Sequence, residues 1–405
     1  MARMIKYWKY LMHVFCLLMI RHSINECTIG TIILHKFERF LPDMKHILVW
    51  TDIHGISEEG QNHFITKNCE KINCYFTKNK SLFGDVRYFD AIVFNLQDLN
   101  TAYLPRVRGV NQKYIFVAND SADNYPVCDP VYDDFFNWTW TYRVDSTISY
   151  RFISVYNLHN EELGSHFRWN DKMEPTKRHF QALLASKSKA VAVFLDVCKS
   201  RSNREGFIKE MQKEMSKYNH TIDIFGKCGS KTCKRKTSAT CSWRLNKQYF
   251  FFLAMEDSIS SDYVTGAVLP AFENNVVPVV YGGADYSKFL PPNSYLDARK
   301  LGIPKLVKTM VDSINKRELY HEFFRWRNHY VVRESPVLDA CVLCDRLNQK
   351  SWLLGQHAYH NFRKWWLPEY QDKCSARTLM DTGFLFGMVA GYQKKIQCFA
   401  PRIGI

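Results

Sequence analysis

The stretch QYFFFLAMEDSISSDYVTGAVLPAFENNVVPVVYGG, residues 248–283, decides the fold. Tyr249 to Ala254 is a short, nearly all-apolar run, typical of a parallel strand covered on both faces. Val276 to Tyr281 is a second such run, and we expect Ser261 or Asp262 to cap a helix between the two. That helix would carry Val264, Val268, Leu269 and Phe272. Because ligands of open α/β sheets bind beyond the carboxyl ends of strands, the stretch predicts a site for a phosphate-bearing ligand.

The remainder of the chain extends this alternation in two blocks. Apolar runs predict strands at residues 46–50, 91–94 and 114–118 in the first block, and at 190–195 and 221–225 in the second. Residues 204–218 predict an amphipathic helix, and a polar linker spans about 168–179. With 405 residues, 46% of them hydrophobic, the chain is long and apolar enough for two cored domains.

The net charge of +15 raises the question of an anionic partner. Nucleic acid is disfavoured, because the sequence has no zinc-finger spacing, no RNP-type motif and no long basic run. The densest basic cluster, Lys227 to Lys236, is interrupted by Cys228 and Cys233 and favours a solvated, disulfide-tied loop. An anionic membrane or a phosphorylated small ligand remains compatible with the charge.

Thirteen cysteines and several Asn-x-Ser/Thr tripeptides together favour an oxidising secretory compartment. A zinc site is the competing interpretation, but Cys341-Val-Leu-Cys344 is a single CxxC without a second close pair, so disulfides are favoured. Their connectivity does not follow from the spacing. The candidate disulfide cysteines are Cys69, Cys74, Cys228, Cys241, Cys341 and Cys344. The predicted glycosylation sites are Asn79, Asn137 and Asn219, and Asn119 has the same spacing.

The N-terminus carries a short apolar run, Leu11 to Ile20, behind Arg3, Lys6 and Lys9. One interpretation is a cleaved signal peptide, although no clear cleavage site follows. The interpretation that we favour is a short uncleaved signal anchor whose basic end lies in the cytosol.

Several motifs resemble those of the α1,3/4-fucosyltransferases, which move fucose from GDP-fucose onto N-acetylglucosamine of a glycan. The stretch that opens this section is similar to the family signature, and further similar elements lie at residues 136–146, 223–229 and 340–345. A looser similarity at 362–374 is to members that fucosylate the N-glycan core. In the signature, the matching residues are Glu256, Ser258, Asp262, Tyr263, Thr265, Pro278, Val279 and Val280.

The resemblance covers about residues 45–347 and implies the GT-B architecture, with two Rossmann-like α/β domains and a cleft between them. It implies a division into a cytosolic tail and anchor (1–22), a stem (23–44), an acceptor-side domain (45–178), a GDP-fucose-binding domain (179–349) and an extension (350–405). It also implies an inverting, metal-independent α1,3-fucosyltransferase of the Golgi membrane, a single-pass type II glycoprotein with its catalytic domain in the lumen. GDP-fucose would be the donor substrate, no cofactor would be needed, and the partners would be glycan acceptors and the Golgi membrane.

Catalysis requires a base for the acceptor hydroxyl. Asp120-Ser121 stands where the family has a Glu-Ser pair, so the resemblance implies that Asp120 is the base. An ordinary turn is the equally weighted alternative, since residues 119–124 have turn chemistry. A glycan on Asn119 would block such a base, so the two roles exclude each other.

Donor binding requires groups that stabilise a departing diphosphate. The resemblance implies this role for Arg204, at a helix start, with Arg201 as the alternative. Asp196, at the preceding strand end, would repel a diphosphate unless it faces away. The resemblance also implies site roles for the residues after the next strand: Glu256 in catalysis, and Asp262, Tyr263 and Thr265 in donor binding. Glu256 could instead be a strand-end or capping carboxylate, and Tyr263 could stack on guanine or simply pack.

One departure lies in the centre of the signature, where Gly266 and Ala267 replace a Glu and a Lys of the family. Pro270 clashes with the carbonyl four residues earlier in a continuous helix, so a kink or loosened first turns are expected. The sequence therefore leaves an alternative to an efficient enzyme, namely a weak or inactive fucosyltransferase-like paralogue with a binding or regulatory role.

Overall fold

The structure is a computed structural model of the chain. It describes residues 43–53, 56, 59–163, 167–232, 238–335, 338–355 and 358–375, and for residues 238–241 the backbone alone. These residues form two compact units. The first contains residues up to 115 together with 340–355, and the second contains the remainder. The domain division expected from the sequence, at residues 178 and 349, differs from these units and stays a prediction.

Strands and helices alternate through most of the described chain. The strands are β1 (Lys45–Val49), β2 (Cys74–Thr77), β3 (Ala91–Asn95), β4 (Lys113–Ala118), β5 (Trp138–Thr141), β6 (Ile148–Ser149), β7 (Ile153–Asn157), β8 (Lys189–Phe194), β9 (Ile222–Phe225), β10 (Tyr249–Met255), β11 (Val277–Tyr281), β12 (Leu296–Asp297) and β13 (Tyr330–Glu334). The α-helices are α1 (Asn62–Thr66), α2 (Arg178–Leu184), α3 (Arg204–Ser216), α4 (Ser238–Gln248), α5 (Leu269–Glu273), α6 (Ala298–Leu301), α7 (Ile303–Asn315), α8 (Arg317–Glu322), α9 (Ala340–Asn348), α10 (Lys350–Leu354) and α11 (Phe362–Trp366).

A five-stranded sheet, in the order β12-β11-β10-β8-β9, forms the centre of the second unit. Its four strand pairs are all parallel. The central strand β10 is buried along its whole length. Phe251 and Leu253 belong to one core cluster, whereas Phe252 and Ala254 belong to another, so both faces of the strand are covered. This double coverage accounts for the continuous apolar run in the sequence, and the expected α/β fold class is confirmed.

Amphipathic helices supply one of these two cores. In α3 the buried residues are Ile208, Met211 and Met215, and their spacing of three and four residues places them on one helix face. In α7 the buried apolar residues include Leu306 and Met310, which belong to the same core cluster. The helix expected over residues 204–218 is therefore present.

The first unit contains a parallel sheet in which β1 lies between β2 and β3. Two disulfides join this sheet region to α9. They are Cys69–Cys341, with 5.1 Å between Cα atoms, and Cys74–Cys344, with 5.8 Å. Four of the six candidate cysteines therefore pair with one another, over sequence separations of about 270 residues that no spacing rule would indicate.

Two further disulfides lie in the second unit. Cys228 bonds to Cys198, which was not among the candidate cysteines, and Cys128 bonds to Cys374. The side chain of Cys241 lies outside the described residues. Near the first of these bonds, Asp196 accepts a hydrogen bond from the backbone N–H of Lys227, at 3.1 Å. Asp196 thus contacts the loop after β9.

The predicted anchor, stem and far C-terminus lie largely outside the described residues. Among the residues that are described, the structure has no helix both long enough and apolar enough to cross a membrane. Of the predicted glycosylation sites, Asn79 and Asn219 are exposed and Asn137 is half-buried. Their glycosylation stays a prediction.

Candidate active site

Glu256 directly follows the central strand β10 and is buried. Its two carboxylate oxygens accept hydrogen bonds from one residue, Thr265: the backbone N–H at 2.9 Å and the hydroxyl at 2.8 Å. Burial raises the pKa of Glu256 to about 7, although the Thr265 bonds and the nearby Arg204 oppose the shift. The carboxyl group is therefore both anchored and balanced between its neutral and ionised forms near neutral pH.

Thr265 also determines where the next helix begins. Its hydroxyl oxygen accepts from the backbone N–H of Ala267 at 3.2 Å, so Thr265 is the N-cap of a 3₁₀ turn over Gly266–Val268. The helix α5 follows from Leu269. The expectation that Ser261 or Asp262 caps a helix was therefore wrong, because Thr265, fixed by Glu256, stays extended and delays the helix.

Asp262 adopts a left-handed conformation, with φ of 60°. Its carboxylate accepts from the backbone N–H of Val144 at 3.3 Å and caps no helix. Pro270 lies in the first turn of α5, where backbone N–H groups have no partner within the helix. The backbone before it forms a 3₁₀ turn over Gly266–Val268 in place of an α-helical turn, so the loosened first turns expected from Pro270 are present.

Arg204, the first residue of α3, lies against the end of β10. Its Nη1 donates to the carbonyl of Met255 at 2.7 Å, and its Nε lies 3.6 Å from Glu205. Ser202, two residues before Arg204, bonds to the same strand end, because its hydroxyl donates to the carbonyl of Glu256 at 2.8 Å. The structure thus brings Arg204 beside Glu256, with its side chain only 15% exposed.

Asp120 lies in a hydrogen-bonded turn that follows β4. Its Oδ1 accepts from the backbone N–H of Ser121 at 2.6 Å and from the Asn124 amide at 3.0 Å. The same amide lies 3.3 Å from a carboxylate oxygen of Asp257. The turn predicted from the sequence is present, and it lies next to the end of β10, where the other candidate residues are located.

Two buried hydroxyl contacts join this turn to the segment after β10. The Ser258 hydroxyl donates to the Ser121 hydroxyl at 2.6 Å, and the backbone N–H of Asp123 donates to the Ser260 hydroxyl at 3.0 Å. Sequence reasoning missed these serines as partners, since nothing in their local sequence indicates a contact 137 residues away. The candidate base and the strand end are therefore held in one network.

Tyr263 packs in an aromatic cluster. Its ring lies against Tyr142, with 5.0 Å between ring centroids, and against Phe152, with 5.9 Å. Burial raises its pKa. Because the residue is only 7% exposed, it offers little surface for stacking on a guanine, and that donor-binding role stays a prediction.

A hollow of about 560 Å³ lies at the carboxyl ends of β11 and β12. Arg299 is exposed there, and its Nη1 donates to the carbonyl of Gly282 at 2.9 Å. Lys300 pairs with Asp285 at 3.3 Å. The lining residues are Gly282, Gly283, Ala284, Asp285, Asp297, Arg299 and Lys300. Sequence reasoning missed Arg299 and Lys300, although their position after the last strand of the second block was an available signal.

A smaller hollow of about 200 Å³ shares Gly283 and Arg299 with the first. The remaining wall combines the turn after β4, one residue after β5, the segment after β10 and the C-terminal segment. Its other lining residues are Ala122, Arg143, Ile259, Ser260, Ser261, Trp366, Leu367, Pro368 and Glu369. Across the described part of the chain, no group of three or more His, Cys, Asp or Glu side chains is arranged to hold a metal ion.

Two family models match the sequence over most of its length. Residues 42–153 match the N-terminal fucosyltransferase model, and residues 184–365 match the C-terminal model of glycosyltransferase family 10. The chain belongs to the family 10 fucosyltransferases. Its membership agrees with the family resemblance of its motifs.

Individual relatives of this fucosyltransferase are moderately similar. The α-(1,3)-fucosyltransferase C of Drosophila melanogaster is 29% identical over 346 residues, which is 82% of this chain and 80% of the relative. The α-(1,3)-fucosyltransferase fut-1 of Caenorhabditis elegans is also 29% identical, over 67% of this chain and 58% of its own length. A crystal structure of an α1,3-fucosyltransferase with GDP-fucose aligns with 78% of this chain and 93% of its own, at 13% identity and a TM-score of 0.45.

In this fucosyltransferase, the sequence-predicted residues gather around one strand end. Glu256, Thr265 and Arg204 lie there directly, and Asp120 reaches it through Asn124. Asp262 lies further along the same loop. The arrangement supplies one buried carboxyl group, one half-buried carboxyl group and a half-buried guanidinium, which are groups suited to proton transfer and to binding negative charge.

Proposed function

We propose that this fucosyltransferase transfers fucose from GDP-fucose to N-acetylglucosamine of glycoprotein glycans, forming an α1,3 linkage with inversion. The observation that carries the proposal is the network at the end of β10, in which Glu256, Thr265 and the turn of Asp120 are joined. The relatives named above are α1,3-fucosyltransferases, which supports the reaction type.

In the proposed step, the acceptor hydroxyl oxygen attacks the anomeric carbon of fucose. The bond from that carbon to the phosphate oxygen breaks, and its electron pair leaves with GDP. Asp120 takes the hydroxyl proton, since its carboxylate is held by Ser121 and Asn124 in a fixed orientation. Glu256 holds Thr265 in place for the donor. Because the pKa of Glu256 is about 7, both its neutral and its ionised forms are present near neutral pH.

The charge of the departing diphosphate would be balanced by the guanidinium of Arg204. No metal ion takes part in the proposed step. Transfer is therefore expected to proceed at the same rate in the presence of EDTA, and a rate restored only by added Mg²⁺ or Mn²⁺ would contradict this part of the proposal.

We propose that the protein lies in the Golgi membrane, with residues 1–22 as a cytosolic tail and type II signal anchor and the remaining chain in the lumen. The four disulfides support an oxidising compartment. The glycan acceptor would be presented by other glycoproteins there. Protease protection of the chain in sealed Golgi vesicles, and its loss with detergent, is the expected result, whereas digestion without detergent would contradict this placement.

A weak or inactive paralogue is the second candidate, and one observation favours it. Gly266 and Ala267 occupy the turn next to Thr265 without charged side chains, while the family pattern has a Glu and a Lys there. A Cβ added at Gly266 would contact only the tip of the flexible Leu269 side chain, at 3.3 Å. Packing around this Cβ thus does not require glycine at position 266.

The deciding experiment compares the full chain with the variant Gly266→Glu/Ala267→Lys in transfer from GDP-fucose to a panel of GlcNAc-terminated and N-glycan acceptors. An active enzyme transfers without the change. A weak paralogue gains at least about tenfold, because the added Lys strengthens diphosphate binding. The charge-matched control Asn315→Glu/Leu319→Lys, at exposed helix positions, should gain nothing. Absence of transfer in all three, with no thermal shift in millimolar GDP, would contradict the proposed function.

A further inference from the structure

The C-terminal segment, residues 358–375, is fixed against the region that follows the turn of Asp120. The Cys128–Cys374 disulfide, with 5.6 Å between Cα atoms, ties its end. Earlier in the segment, the indole N–H of Trp366 donates to the carbonyl of Tyr125 at 3.0 Å. The segment is therefore attached to residues 125 and 128 at two points, Trp366 and Cys374.

The helix α11 adds a third attachment. Arg363 bonds to Asp133 through its backbone N–H at 3.0 Å and through Nε at 2.9 Å, and its Nη1 donates to the carbonyl of Cys128 at 3.1 Å. Phe362 is fully buried, with its ring 4.8 Å from that of Phe116. These contacts hold α11 in place, and its last residue, Trp366, lines the smaller hollow.

One ion pair then links the segment to the turn of Asp120. The Lys373 ammonium lies 2.6 Å from a carboxylate oxygen of Asp123. Asp123 is 3% exposed, and a buried carboxylate is strongly disfavoured without a cationic partner. Because the backbone N–H of Asp123 also bonds to Ser260, the position of Asp123 affects both the turn and the segment after β10.

We propose that Lys373 is a positioning residue for the candidate base, acting through Asp123. Asp120 lies three residues before Asp123, and the intervening Ser121 is itself bonded to Ser258. With Lys373 present, the turn has one position relative to the strand end; without it, the buried carboxylate of Asp123 moves toward solvent and takes Asp120 with it.

The same segment also lines the smaller hollow. Residues 366–369 border it together with Ala122, which belongs to the turn, and Ser260. The C-terminal segment is thus part of the wall of the candidate site, and its attachment has a direct route to function. This role rests on the proposed transferase activity.

The test compares Lys373→Met and Lys373→Arg with the control Lys364→Met, which removes an exposed lysine from the same segment. In Lys373→Met, kcat for transfer is expected to fall at least about tenfold while the Kd for GDP changes less than about twofold, because the donor contacts are untouched. Lys373→Arg restores kcat, and Lys364→Met leaves it unchanged. A parallel loss of kcat and GDP affinity in Lys373→Met would indicate a merely structural role and overturn the inference.

A second measurement does not depend on activity. Amide hydrogen exchange of residues 121–125 and 258–260 is expected to be at least about tenfold faster in Lys373→Met than in the control, with no change in β8 or β10. If Lys373→Met fails to fold, the double variant Lys373→Met/Asp123→Asn removes the unpaired charge and should fold with the same fast exchange. Unchanged exchange of these residues in Lys373→Met overturns the inference. If the wild type shows normal protection of these residues but no transfer, that result counts against the proposed function instead.

Discussion

Neighbouring strand ends of the five-stranded sheet differ in how their polar groups are used. At the end of β10, the side chains of Glu256, Thr265 and Ser258 bond to one another or to the adjoining turn. After β11, Gly282 and Gly283 line an open hollow. Arg299, which follows β12, is exposed and lines the same hollow. One sheet edge therefore combines a fixed polar network with an open cationic surface.

The difference teaches that residues conspicuous in the sequence are not all free to contact a ligand. The motif residues at β10 maintain the shape of the site, since their hydrogen bonds are already formed within the protein. Arg299, which belongs to no motif, donates to the carbonyl of Gly282 and lines the hollow. We expect ligand contacts to depend on both regions, and stability to depend mainly on the first.

The largest expected effect comes from a substitution at Gly283, where the backbone after β11 lies close to the backbone after β10. A Cβ at Gly283 would lie 2.6 Å from the carbonyl oxygen of Ser260 and 2.7 Å from its nitrogen. Because these are backbone atoms that cannot rotate away, Gly283→Ala is expected to lower the free energy of unfolding by more than about 3 kcal/mol. Urea denaturation measures it.

Gly266→Ala is the matched control, since its Cβ would meet only the Leu269 side chain at 3.3 Å. It should stay within about 0.5 kcal/mol of the wild type. Equal stabilities of the two variants would show that the segment after β10 is not fixed against Gly283.

The next effect concerns the anchored carboxyl of Glu256. Burial raises its pKa from 4.5 to about 7, so the folded protein holds this proton more tightly than the unfolded chain. The resulting stabilisation is complete below about pH 4.5 and is lost as the pH rises to about 7, a change of about 3 kcal/mol. Glu256→Gln should lack this contribution to the pH dependence of the free energy of unfolding.

The exposed Glu273→Gln serves as the control and should follow the wild-type pH profile. Unfolding in urea at several pH values between about 4.5 and 8 provides the comparison. A Glu256→Gln profile parallel to the wild type would mean that the carboxyl is not buried as described.

The smallest expected effect tests the open region. Arg299→Ala removes an exposed guanidinium from both hollows and is expected to weaken GDP binding about tenfold, about 1.4 kcal/mol, with little change in stability. Arg333→Ala, an exposed arginine on β13, should bind GDP like the wild type. Calorimetric titration with GDP distinguishes them, and equal affinities would remove Arg299 from the donor site.

Seven of the strands in the described residues, β1, β3, β4 and β8 to β11, could be predicted because their signal is local. A seven-residue apolar run such as β10 can only be buried on both faces. The start of α5 could not be predicted, because Thr265, held by two bonds to Glu256 nine residues away, caps a 3₁₀ turn that precedes the helix. A propensity rule weighs Ser261, Asp262 and Thr265 alike, whereas the long-range partner decides among them.

The candidate site, too, could be predicted where its signal is local and not where it depends on long-range contacts. The motif residues around β10 were indicated by the sequence, since parallel strands end at one edge of a sheet. The contacts of Ser121, Asp123 and Lys373 were not, because each joins residues more than 130 positions apart. The partner of Cys228 was missed for a related reason, since a disulfide depends on spatial distance alone.

The two disulfides of the first unit have a consequence for biosynthesis. Cys69 and Cys74 must wait for cysteines that follow them by 272 and 270 residues. At roughly 5–20 residues per second, a ribosome needs tens of seconds to make that length of chain. The unit that begins to emerge first is therefore completed only after residues 116–339 of the second unit have been made, and its thiols remain open to incorrect pairing during that time.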